Sequence, residues 1–106
     1  MTWLGYSLGM GRDEAIIRLR ANADRLRSFG VRHLALFGST ARDEASATSD
    51  VDLLVDHEPK RLGLIELAGL TRVASEILQA PADVALREGL RPSTRATIEA
   101  EALEVF

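Results

Sequence analysis

The sequence predicts a small α/β layer structure, a sheet covered by helices, with elements in the order α-β-α-β-α-β-α. Three observations predict it. At 106 residues, 46% apolar and 27% charged, the chain is long enough for one hydrophobic core and too short for a second. Segments with apolar residues every three or four positions alternate with short, continuous apolar runs, the pattern of helices alternating with buried strands. No internal repeat, low-complexity stretch or interdomain linker interrupts that alternation.

Each element has its own signal. Residues 1–12 are expected to form a flexible tail, because the first ten carry no charge, no regular period and no basic start or long apolar stretch of a secretory signal. Met10 is a second candidate start, and the domain is placed at 13–106. From Asp13, Ile16, Leu19, Ala23 and Leu26 recur at helical spacing up to Gly30, with Arg18, Arg20, Arg25 and Arg27 on the wet side as a solvated face. His33 to Phe37 is a strand leading into Gly38, where a short helix begins, and Val51 to Val55 is the next strand. Residues 61–79 return to the helical period through Leu64, Leu67, Ala68, Val73, Ala74, Ile77 and Leu78, and Pro81 ends the helix. Asp83 to Leu86 is a short strand, and Pro92 opens a last helix expected to run through Ile98, Ala102 and Val105.

Composition excludes several classes of function. The net charge of −3 gives no general drive toward nucleic acid, and no direct nucleic-acid binding is expected. With no cysteine there is no disulfide framework and no thiolate metal site. No apolar run approaches the roughly 18 residues that span a bilayer, so the expectation is a cytoplasmic protein without membrane contact.

Chemistry concentrates in fifteen positions, where Gly38-Ser39 is followed after ten residues by Asp50-Val51-Asp52. Residues i and i+2 of a strand project to one face, about 7 Å apart, so Asp50 and Asp52 can share metal binding while Val51 enters the core. Magnesium is satisfied by two or so carboxylates plus water and phosphate oxygens, which makes an aspartate pair beside a triphosphate a sufficient protein contribution. Gly38 lacks a Cβ and admits phosphate oxygens to backbone amides, and Ser39 adds a hydroxyl donor where the short helix begins. This is not a Walker A loop: no Gly-Lys-Ser/Thr occurs, and the one lysine, Lys60, lies elsewhere. Asp83, heading a later strand, is the candidate third carboxylate and general base of a two-metal displacement. Arg42, three residues after Ser39, can return to the phosphate side or pair with Asp43, Glu44 or Asp50. Ser49 is expected to orient the turn before Asp50. His33 and His57 have no triad or ligand spacing and are expected to flank strands.

Together these words, Phe37-Gly38-Ser39-Thr40-Ala41-Arg42, Ser49-Asp50-Val51-Asp52-Leu53-Leu54-Val55 and Asp83-Val84, resemble the DNA polymerase beta-like nucleotidyltransferase superfamily. Within it they resemble the minimal nucleotidyltransferase (MNT) antitoxins of HEPN/MNT toxin-antitoxin pairs, and the similarity covers the chain from about Asp13 onward. The resemblance implies the nucleotidyltransferase fold, a small mixed sheet flanked by helices, with transfer of AMP from ATP, two Mg²⁺ ions and release of pyrophosphate. It implies phosphate binding by Gly38 and Ser39, metal binding by Asp50, Asp52 and Asp83, and a base role for Asp83. The acceptor it implies is a tyrosine hydroxyl of a partner HEPN-domain ribonuclease toxin in a hetero-oligomer, where the added anion would block RNA entry. One departure stands out: Asp43 follows Arg42 where the family commonly has glycine. A chain this small has no second domain to bind an acceptor, which favours a macromolecular partner. A binding-only antitoxin and a catalytic subunit for another acceptor are the alternatives, and the presence of all three carboxylates weighs against the first.

Overall fold

Residues 10–46, 48–58 and 62–106 are described by a computed structural model of the chain. The tail and Trp3 and Tyr6 therefore lie outside the described residues up to Gly9, as do Lys60 and Arg61. The elements are α1 (Arg12–Ala21), α2 (Ala23–Arg27), β1 (Val31–Phe37), α3 (Gly38–Ala41), β2 (Val51–His57), α4 (Leu64–Leu78), β3 (Ala82–Leu86), a 3₁₀ turn (Arg87–Gly89), α5 (Pro92–Glu101) and β4 (Leu103–Glu104). The strands form one mixed sheet in the order β3-β2-β1-β4, antiparallel at β1/β2 and β1/β4 and parallel at β2/β3. Among the described residues no helix is long and apolar enough to cross a membrane.

Strand alternation divides the sheet into two faces with different work. Leu34 and Leu36 of β1 pair with Val55 and Leu53 of β2, and all four are buried with Val51 against Leu19, Leu26, Leu70, Val73 and Leu78 of the helices. Each such side chain contributes about 1.5–3 kcal/mol on leaving water, so this face holds the fold together. The opposite face carries Asp52, Leu54 and Asp56 on β2 and, in register with Asp52, Asp83 on β3. The expectation that Val51 enters the core between two outward aspartates is borne out.

Four departures from the expected elements have physical causes. The first helix breaks at Asn22, whose side-chain amide donates to the Arg18 carbonyl at 2.9 Å while its backbone N–H turns to Leu19. An amide side chain there competes with the helix's own hydrogen bonds. The first-helix arginines are not simply a solvated face. Arg18 donates to the Leu78 carbonyl at the end of α4 (2.7 Å), Arg20 to the Val105 carbonyl (2.8 Å), and Arg27 lies over the Phe106 ring. The first turn of α4 extends past the sheet, leaving Leu64 and Ile65 at 87% and 84% exposure, so Leu64 is not a core residue. Finally, α5 stops at Glu101: Ala102 is extended, and Leu103–Glu104 pairs with β1 at Ala35 and Leu36, which buries Val105. The free edge of β1 supplies backbone partners that another helical turn would leave unmade.

Candidate active site

Gly38 sits where β1 ends, and its geometry explains why it is glycine. Its φ is +74°, a left-handed conformation, and a Cβ built on it would lie 2.2 Å from Asp52 Oδ2. Both facts exclude a side chain, the first through local strain and the second through a clash with the carboxylate opposite. The register produces this closeness, since Phe37 pairs with Asp52 across β1/β2. Ser39 follows at the start of α3, and its carbonyl accepts the Glu44 N–H at 2.8 Å, closing the loop behind the helix.

Asp52 stands between two carboxylates. Asp83 is its register partner on the parallel neighbour, and Asp50 lies two residues before it, where the Val51 N–H donates to the Pro81 carbonyl at 2.8 Å. Burial, then the charges of Asp83, Asp50 and Glu101, raise the Asp52 carboxyl above the ordinary carboxylate range, against the lowering influence of Arg42. The structure thus brings Gly38, Ser39, Asp50, Asp52 and Asp83 to one end of the sheet. As the side chains stand, no three carboxylate or imidazole groups among the described residues converge on a point an ion could share. The donor set nevertheless suits a hard divalent cation: all oxygen, with surplus negative charge around Asp52.

Arg42 is near this end but already engaged. Its Nε donates to Glu44 (2.9 Å) and its Nη1 to Glu101 (2.9 Å), and these two hydrogen bonds raise its pKa further. Of the expected alternatives it takes Glu44, not Asp43 or Asp50, and it adds Glu101. Glu101 also accepts the Gly38 N–H at 3.0 Å. No local signal marks it, because its partners lie 63 and 59 residues away. Ser75 was equally invisible: its hydroxyl accepts the Ala82 N–H (3.0 Å) while donating to the Thr71 carbonyl, which ties α4 to the strand bearing Asp83.

The loops around the site settle two smaller points. Asp43 adopts φ 60°, and its carboxylate accepts the Arg12 N–H at 3.0 Å, so it serves both as a left-handed residue and as a cap for the first turn of α1. An aspartate in place of glycine therefore keeps the turn and gains a contact. Ser49 and Ser46 share a hydroxyl hydrogen bond, and Ser49 Oγ accepts the Ser46 N–H, fixing the turn that delivers Asp50. His33 is exposed, and His57 meets only the neighbouring Glu58 carbonyl through Nδ1 among the hydrogen bonds described.

A mixed four-stranded sheet with a glycine turn packed on Asp52, itself in register with Asp83, fits a nucleotidyl-transfer fold, and comparison agrees. The chain belongs to the nucleotidyltransferase domain family, whose model matches residues 17–105. It is similar to the protein adenylyltransferase MntA of Thermococcus cleftensis, at 37% identity over 82% of this chain and 88% of that one. A solved structure described as a minimal nucleotidyltransferase superposes with a TM-score of 0.78 at 32% identity, covering 89% of this chain and 95% of the other. The MNT antitoxin complexed with a tri-AMPylated HEPN toxin of Shewanella oneidensis has the same fold at 16% identity, with a TM-score of 0.62 over 82% of this chain and 68% of that one.

Proposed function

We propose that this enzyme is an antitoxin that transfers AMP from ATP to a tyrosine hydroxyl of a partner HEPN ribonuclease toxin, releasing pyrophosphate. The observation that carries the reading is the register of Asp52 against Asp83 with Gly38 packed on Asp52, which sets the glycine turn beside two paired aspartates. The name of the Thermococcus relative supports protein as the acceptor, and the AMP-modified toxin in the Shewanella complex supports the class of partner.

Gly38 and Ser39 would hold the phosphates through backbone amides and the serine hydroxyl, with Arg42 adding a guanidinium once released from its carboxylates. Asp50, Asp52 and Asp83 would hold Mg²⁺, which when bound neutralises the triphosphate and polarises the attacking hydroxyl. The acceptor oxygen bonds to the α-phosphorus as the bond to pyrophosphate breaks, and Asp83 takes the hydroxyl proton. The reading places the protein in the cytoplasm beside its toxin.

The test is to incubate the protein, ATP, Mg²⁺ and its HEPN-type partner and search the partner by mass spectrometry for AMP on tyrosine. The expected result is an adduct with wild type and none with an Asp50→Asn, Asp52→Asn double variant. Equal neutralisation by that variant without any adduct would instead select a binding-only antitoxin, and AMP found on a small molecule would select a different acceptor.

A further inference from the structure

We infer that Glu101 is an internal stand-in for phosphate: its carboxylate occupies the Gly38 amide and the Arg42 guanidinium, and the incoming triphosphate displaces it. The inference rests on the nucleotide-binding role proposed for the Gly38-Ser39 turn. Two oxygens of one carboxylate accept from the two donors at 3.0 Å and 2.9 Å, an arrangement equally available to two phosphate oxygens. The same N–H cannot serve both anions well, and a phosphate arriving beside a retained Glu101 would meet a like charge at contact distance.

Glu101 also sits where its charge is opposed. It is the last residue of α5, where the helix dipole disfavours an anion, and its charge acts on Asp52, itself beside Asp50 and Asp83. Against these repulsions stand the Gly38 N–H hydrogen bond and the Arg42 ion pair, on a side chain that remains 34% exposed. Such a group is held just firmly enough to keep the turn and Arg42 arranged, and it can swing to water without opening a hole in the core. Because Ala102 is already extended, the swing needs no unwinding of α5.

Displacement reduces apparent nucleotide affinity, since part of the binding free energy goes into releasing Glu101. The experiment measures binding of a non-hydrolysable ATP analogue with Mg²⁺ by calorimetry to wild type, Glu101→Gln and Glu101→Ala, together with KM and kcat for ATP on the partner. Both variants should bind the analogue about three- to tenfold more tightly, with KM lowered and kcat retained, as expected when a competing internal contact is removed. Equal or weaker binding, or a loss of kcat, would overturn the inference and make Glu101 a positioning residue of the turn; the nucleotide reading would stand. Absence of analogue binding in wild type and in both folded variants would overturn both. Should the variants fail to fold, wild type alone decides: the Glu101 carboxylate ¹³C resonance should move to its free value when the analogue saturates, and a resonance that stays in place contradicts displacement.

Discussion

At the scale of single residues, the account turns on Gly38, Asp52 and Asp43. Gly38→Ala adds a left-handed strain of about 1–2 kcal/mol and pushes on Asp52. A displacement of about 1 Å at a reacting centre can cost about 100-fold, so turnover should fall by that order while the protein still folds, as single-turnover assay and circular dichroism can show. Asp52 carries a raised pKa, so its folded form binds a proton more tightly than the unfolded chain. Its stabilising contribution is present at pH below the ordinary carboxylate range and is lost as pH rises through its raised value. Nucleotide-free Asp52→Asn should therefore melt above wild type at neutral pH, with the gap closing on acidification, and Mg²⁺ should raise the melting temperature of wild type but not of the variant. An unchanged or lower melting temperature would refute the charge congestion drawn around Asp52. Asp43→Ala loses a cap and strains a left-handed residue, a cost of about 2 kcal/mol in denaturant unfolding, whereas Asp43→Asn should stay within about 0.5 kcal/mol.

Among the elements, the strands that carry the candidate site residues are those whose signals are local. Apolar runs bounded by Gly38, Asp50 and Pro81 announce β1, β2 and β3, and Pro92 announces α5, so the Gly38, Asp50, Asp52 and Asp83 constellation was legible before any fold was known. What was not legible depends on distant partners. The helical period of Ile98, Ala102 and Val105 runs one turn past the end of α5, while the backbone pairing that diverts the chain comes from β1. Glu101 carries no local signal for the same reason, and the α1 arginines have the pattern of a solvated face because their carbonyl acceptors lie at the end of α4 and just after β4. Val105 tests this corner: directly after β4 it is 3% exposed, with its N–H donating to the Leu34 carbonyl, so Val105→Ala should cost about 2 kcal/mol. A cost near zero would favour a continued, solvent-facing helix.

For the molecule as a whole, the division of labour between sheet faces is the organising fact. The helices α1, α2 and α4 bury one face, which frees the other to hold four acidic side chains near one another without charging the core. Links through Arg87 bind that second face to α5: the guanidinium meets Asp56 of β2 at 3.0 Å and also pairs with Glu99. The central claim is the transfer of the α-phosphoryl group with its nucleoside. Incubation of the protein and the proposed HEPN-type partner with Mg²⁺ and either α-labelled or γ-labelled ATP tests it most directly. The account predicts label on the partner from α-labelled ATP alone, with the γ-label recovered in pyrophosphate; γ-label on the partner, or none from either, would contradict it.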